Sequence, residues 1–198
     1  TERSLSIRYS SGDASFEPAQ YLASSTTSGH ARLFDMDNDG RLDIVRIGWD
    51  NGQKLEVAYA SGDTYQWSAG FDGVGEFDQL LAVGDLDQDG LGDVLVSGPQ
   101  EFVLRHWRGA PGRAWTQGPD IYVDEANAAV ELADLNDDGQ LDIIALDSRE
   151  GEVRVLLNLG GTFDDQNALR FPAGEFNFGR MTVGDLDADG FNDVIVAN

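Results

Sequence analysis

The stretch Asp35-Met36-Asp37-Asn38-Asp39-Gly40-Arg41-Leu42-Asp43 sets carboxylates at positions 1, 3, 5 and 9 of a nine-residue segment, with glycine at position 6. Alternate carboxylates converge on one centre when the chain turns sharply, and glycine accepts the backbone conformation such a turn demands. On either side lie Ala31 to Phe34 and Ile44-Val45-Arg46-Ile47, aliphatic runs too short for helices that read as strands leading into and out of the turn.

The unit returns three times, at Asp85–Asp93, Asp134–Asp142 and Asp185–Asp193, with starts 50, 49 and 51 residues apart. Its flanks return with it: Leu80 to Gly84 and Val94–Val96, Val130 to Ala133 and Ile143–Leu146, Met181 to Gly184 and Val194–Val196. Between loops, Leu5–Tyr9, Leu55–Tyr59 and Val153–Leu157 alternate with period two, and Phe102–Trp107 occupies the matching place. A fourth strand is predicted to begin at an aromatic after a Gly-rich turn, at Phe16, Trp67, Trp115 and Phe163. Four short strands per period of about 50 residues, with no helix, predict an all-β fold: a β-propeller of four four-stranded blades.

The blade units fall at about 31–72, 80–123 and 130–172, and at 180–198 completed by 1–24, within a single domain 1–198. Reading from Asn198 on to Thr1 preserves the period, with 48 residues from Asp185 round to Asp35. The cut blade is completed in cis, closing a small ring, or in trans, making a larger ring or a head-to-tail fibre; a fragment of a longer propeller is the third reading.

The expected metal ligands are Asp35, Asp37, Asp39 and Asp43; Asp85, Asp87, Asp89 and Asp93; Asp134, Asn136, Asp138 and Asp142; and Asp185, Asp187, Asp189 and Asp193. Arg41, Leu91, Gln140 and Phe191, at position 7, would add backbone carbonyls. Hard oxygen ligands in this number suit Ca2+, about four ions with one per repeat, better than the regular octahedron of magnesium. Asn136 removes one charge from the third loop, which should bind weakest. An EF-hand is disfavoured by the missing glutamate at position 12 and by flanking strands instead of helices.

Composition agrees. Against 13 basic residues stand 36 acidic ones, and the net charge of -23 repels nucleic acid and anionic lipid while attracting cations. Cysteine is absent, which removes disulfides and thiolate metal sites. No apolar run approaches a membrane span, so membrane insertion is not expected. Thr1 to Ser6 lacks a leader pattern, so a secreted chain would be the mature form.

With Phe178-Gly179 before the fourth loop, Ser97-Gly98-Pro99 after the second and Val196-Ala197-Asn198 at the end, the chain resembles the FG-GAP/VCBS repeat family of calcium-loop propellers, which includes integrin alpha-chain heads and many bacterial secreted proteins. The resemblance implies that each loop joins the first two strands of a blade.

Three functions are compatible. The first is a non-enzymatic, secreted or cell-surface structural or adhesive module, stiffened by calcium and assembling with itself or with an extracellular glycan or protein. The second is a lectin, with Trp49 in the turn Gly48–Gly52 as the stacking residue. Trp67, Trp107 and Trp115 recur at blade positions and are expected to pack. The third is a carboxylate-dependent polysaccharide-active enzyme, which little supports: His30 and His106 show no partner spacing, and no nucleophile or phosphate motif occurs. Ser24–Gly29 reads as a flexible loop that could accept O-linked glycans.

Overall fold

The structure is a computed structural model that describes residues 4–12, 14–23, 27–49, 53–72, 74, 79–97, 102–123, 129–147, 150–174 and 180–197. Every regular element among them is a strand, and five antiparallel sheets follow in chain order. The first pairs β1 (Ser4–Ile7) with β2 (Gln20–Ala23). The second runs β3 (Thr27–Phe34), β4 (Asp43–Trp49), β5 (Gln53–Ser61), β6 (Thr64–Trp67). The third runs β7 (Gln79–Gly84), β8 (Asp93–Ser97), β9 (Val103–Ala110), β10 (Ala114–Gln117), with β11 (Ile121–Tyr122) also on β9. The fourth is β12 (Ala129–Ala133), β13 (Asp142–Asp147), β14 (Glu152–Leu156), β15 (Leu169–Pro172), and the fifth pairs β16 (Arg180–Gly184) with β17 (Asp193–Ala197). Each acidic loop joins the first two strands of its sheet in the second to fifth sheets.

The sheets stack face to face, which explains why β8 and β13, the strands after the second and third loops, are apolar runs: both of their faces are covered. On β13, Ile143 and Ala145 pack with Leu95, Leu104 and Ile121 of the third sheet, while Ile144 and Leu146 pack with Met181 of the fifth. On β8, Val94 and Val96 meet Val45, Ile47 and Val57 of the second sheet, while Leu95 turns to the fourth. Each such side chain contributes about 1.5–3 kcal/mol when fully buried. Trp107 is buried between the second and third sheets, its ring edge-on to Phe71 at 4.6 Å, and Trp115 packs against the same cluster. On β4 the alternation brings in a charge: Arg46 is buried, pairs with Glu56 at 2.7 Å and stacks 4.0 Å above Trp67. The Trp67 Nε1 donates to the Ala23 carbonyl (2.9 Å), tying the second sheet to the first.

Three expectations need correction. At Trp115 the fourth strand begins as expected, β10 starting at Ala114, but in the other sheets it does not begin at the aromatic. Trp67 ends β6, opposite Ala58, and pairing resumes one residue out of step at Leu55–Phe71. Trp107 opposes Gln117 whereas Leu104 opposes Ile121, again one residue out of step. Phe16 and Phe163 make only isolated bridges, to Ser10 and Asn158, ahead of β2 and β15. The extra residues are bulges, absorbed at the outer side of the sheet where no further strand demands a straight ladder. Second, Trp49 is not in a turn: it ends β4, opposite Gln53 and Thr27, and its side chain lies outside the described residues. Third, Thr27–Gly29 belong to β3 instead of a loop, because they continue the ladder beside β4; Ser24–Thr26 lie outside the described residues. Of the readings left open for the cut blade, completion in cis is not seen: β1 and β17 lie in separate two-stranded sheets, and the described strands form no closed ring.

Candidate metal centre

Each loop makes two left-handed residues do the turning. Position 4 has φ of 57° at Asn38, 59° at Gln88, 58° at Asp137 and 63° at Ala188, and position 6 is glycine with φ of 85°, 87°, 81° and 96° at Gly40, Gly90, Gly139 and Gly190. Glycine takes this conformation freely, and Asn and Asp take it more readily than most residues. The turn directs backbone amides at the first carboxylate: Asp39 N donates to Asp35 Oδ1 (3.0 Å) and Gly40 N to Asp35 Oδ2 (2.8 Å). Position 5 holds the position-7 residue in the same way, Asp39 Oδ1 accepting from Arg41 N (3.0 Å), Asp89 from Leu91 N (2.8 Å), Asp138 from Gln140 N (2.9 Å) and Asp189 from Phe191 N (2.9 Å).

The carboxylates of Asp35, Asp37 and Asp39 converge, as do those of Asp85, Asp87 and Asp93 and those of Asp185, Asp187 and Asp193, with one oxygen of each residue within 4.8 Å of the others. In the third loop Asn136 Nδ2 donates to Asp138 Oδ2 (2.9 Å). That loop therefore spends a ligand oxygen on an internal hydrogen bond.

Position 9 has a second duty that spacing alone does not reveal. Asp43 Oδ2 accepts from Met36 N (2.9 Å) and its Oδ1 from Ala60 N (2.8 Å), on β5. Asp93 accepts likewise from Leu86 N (3.0 Å) and Gly109 N (3.0 Å), and Asp142 from Leu135 N (3.1 Å) and Asn158 N (2.8 Å). These three aspartates are buried and clamp the loop to the third strand of the sheet. Asp193 accepts from Leu186 N (2.9 Å), and among the described residues no third-strand amide reaches it.

The donor set fits a hard divalent cation. Asp37 Oδ1, Asp85 Oδ1 and Asp87 Oδ1 are buried and accept no hydrogen bond, a costly state for carboxylate oxygens unless a positive charge sits among them. Burial, then repulsion from Asp93, Asp89 and Asp87, raises the pKa of Asp85 against the pull of the Gly90 amide. Burial, Asp93 and Asp89 raise that of Asp87, opposed by Arg108. A bound cation would remove both penalties.

Neighbouring sheets reach into the loops. Arg113, in the β9–β10 hairpin, donates to Asp37 Oδ2 at 3.0 and 2.7 Å while stacking 3.9 Å from the Tyr59 ring. Arg108 lies 3.5 Å from Asp87 and donates to the Gly161 carbonyl (2.8 Å) of the next sheet. Gly161 is pressed against the second loop: a Cβ there would come within 2.6 Å of Asp87 Cβ. Loop also meets loop, through Gly92 N to Met36 O (3.1 Å), Gln88 Nε2 to Gly139 O (2.8 Å) and Asn192 Nδ2 to Asp134 O (3.0 Å).

Arg113 gave no sequence signal because its partner Asp37 lies in another repeat, and Arg108 gave none because it meets Asp87, 21 residues away in its own repeat, only through the pairing of β8 with β9. His106, read from the sequence as structural or solvent-facing, is buried with Nε2 3.1 Å from Asp93 Oδ2. The side chain of His30 and residues Phe178-Gly179 and Gly98-Pro99 lie outside the described residues.

No curated protein matches the chain. The sequence profile of FG-GAP-like repeats matches residues 85–145 and again 134–196, each match opening on a candidate metal loop and running into the next. Those matches cover more than half of the chain, whose loops and sheets share the same period: the protein belongs to the FG-GAP-like repeat family.

Proposed function

We propose that the protein is a non-enzymatic extracellular module of β-propeller type, structural or adhesive in role, in which calcium bound at about one ion per acidic loop fixes the stacking of the blades. FG-GAP-like repeats are those of propeller-like structural and adhesion modules. The observation that carries the metal reading is the set of buried carboxylate oxygens on Asp37, Asp85 and Asp87 that accept no hydrogen bond. Asp35, Asp37 and Asp39 would hold the first ion, and the matching residues of the other loops would hold theirs. Bound calcium supplies the positive charge that lets these carboxylates sit together. The chain does the rest: the two left-handed residues aim the carboxylates, the position-9 aspartate ties the loop to the third strand, and hydrogen bonds between loops carry that order to the next sheet.

Outside cells, where calcium is abundant, even modest sites are filled, and metal provides the stiffness that a cysteine-free chain cannot draw from disulfides. Dialysis against a chelator followed by calcium titration in a calorimeter tests this. A Tm that rises with calcium, each site adding about 2.7 kcal/mol at a hundred times its Kd, is expected; an unchanged Tm refutes it.

A further inference from the structure

We propose that the cavity between the second and third sheets binds a carboxylate carried on an apolar body, with Arg113 as its counter-ion; the calcium dependence of that binding rests on the metal reading above.

The second and third sheets close on each other less tightly at the loop side than the third and fourth do, and one hairpin makes the difference. In both junctions the hairpin after the third strand covers position 3 of the preceding loop. In the fourth sheet it turns on two left-handed residues, Gly160 (φ 76°) and Gly161 (φ 82°), and sits flush: a Cβ on Gly161 would collide with Asp87, and Asn158 Nδ2 reaches across to the Leu86 carbonyl (2.8 Å). In the third sheet the pair Gly109–Trp115 encloses five residues, where Asn158–Phe163 encloses four. The left-handed pair is here Gly112 (φ 78°) and Arg113 (φ 62°), so a long side chain takes the place of Gly161. The hairpin stands off, and a cavity of 490 Å³ lies beneath it. Arginine carries backbone strain there that glycine would avoid, and such strain points to a role for the side chain.

Met36, Tyr59, Leu91 and Trp115 give the cavity apolar walls, and three charged side chains line it: Asp37, Asp89 and Arg113. Arg113 stacks 3.9 Å from the buried Tyr59 ring and donates from Nε (3.0 Å) and Nη2 (2.7 Å) to Asp37 Oδ2, with 45% of its side chain exposed. The ring thus fixes where the guanidinium sits, and Asp37 balances its charge.

Both carboxylates belong to the metal loops. With ions in the first and second loops, the charges of Asp37 and Asp89 are taken up, and Arg113 is left on Tyr59 as a cation in need of a counter-ion. An amine would be repelled by the guanidinium and by the ions. A carboxylate matches the planar fork of donors, and an apolar body attached to it covers Trp115 and Leu91. The net charge of -23 disfavours anions at long range and keeps the affinity modest. Linkage makes the exchange reciprocal: a ligand that draws Arg113 off Asp37 tightens calcium at the first loop by the same factor.

Phenylacetate, with about ten non-hydrogen atoms, should bind the wild-type chain in calcium with a Kd of about 1 mM. Isothermal titration calorimetry and tryptophan fluorescence should both report it, and binding in EDTA should be about tenfold weaker. Phenethylamine, a similar body with the opposite charge, should not bind. Asp37→Asn removes the competing carboxylate without any metal, so in EDTA it should bind phenylacetate as the wild type does in calcium. Arg113→Gln should bind under neither condition, with the circular dichroism of both variants unchanged. N-acetylphenylalanine run beside phenylacetate distinguishes the sources of the carboxylate: tighter binding of the former names a peptide terminus, and of the latter a free small acid. Binding of the amine in place of the acid, an Arg113→Gln chain that binds like wild type, or no binding by either wild type in calcium or Asp37→Asn in EDTA would overturn the proposal. The two readings fail separately. Binding by Asp37→Asn in EDTA with a wild-type Tm indifferent to calcium refutes the metal and keeps the pocket, whereas a calcium-raised Tm with no binding in either sample refutes the pocket alone.

Discussion

Asp142 and Asp193 occupy the same motif position, yet their replacement by alanine should differ severalfold in cost when calcium is chelated. Asp142 is fully buried and accepts from the Leu135 and Asn158 amides. Alanine strands both donors, at about 1–3 kcal/mol each. Burial, opposed by those same amides, raises the Asp142 pKa, so some of that loss is offset by no longer burying a carboxylate, and a net loss of about 2–4 kcal/mol is expected. Asp193 accepts from the amide of the exposed Leu186, which water replaces, so its loss should stay below about 1 kcal/mol. Urea unfolding in EDTA is the assay, followed by far-ultraviolet circular dichroism because the four tryptophans all precede the fourth sheet. Losses equal to within about 0.5 kcal/mol would refute the clamp, since a residue that only binds metal has no reason to matter in its absence.

Asn136→Asp should tighten calcium binding at the third loop by restoring the missing charge and removing the internal donor to Asp138, as isothermal titration calorimetry would show. Arg113→Ala should also tighten one site, because Asp37 loses a competing cation, while the lost stack on Tyr59 lowers stability in chelator by about 0.5–1 kcal/mol; weaker binding would show that Arg113 positions Asp37 for the ion. The pH dependence should invert with metal. Burial first raises Asp43, Asp85, Asp87 and Asp142 above their ordinary value of 3.8. In chelator the folded chain holds these protons more tightly than the unfolded chain does. Their stabilising contribution is therefore full below 3.8 and is lost as pH rises through the folded values. In calcium, protons compete with the ion and stability falls with falling pH; thermal melts from pH 4 to 7 would test both slopes.

The strands after the second and third loops were legible because they are buried on both faces: a run such as Ile143–Leu146 has no polar side to blur the pattern, and the loops beside it mark the phase. The outer strands were not, because bulges at Trp67 and after Gln117 break the period-two signal that would have drawn them. Trp49 looked like a turn residue because glycine, asparagine and aspartate crowd Gly48–Gly52, but pairing with Gln53 keeps it in β4. The positions of the loop carboxylates followed from local spacing. Arg113 on Asp37, 76 residues away, depends on how sheets stack and leaves no local trace. Nor does the clamp by position 9, since any aspartate there would read first as a ligand.

The broken outer strands have a bearing on how such a molecule stays soluble. A straight outer edge is a template on which any extended chain can zip, whereas an edge whose pairing jumps by a residue at Trp67 and Phe71, or between Gln117 and Ile121, mismatches an incoming strand within a few bonds. The irregularity thus works as a keying device. It closes the outer rims of the second and third sheets to indiscriminate pairing.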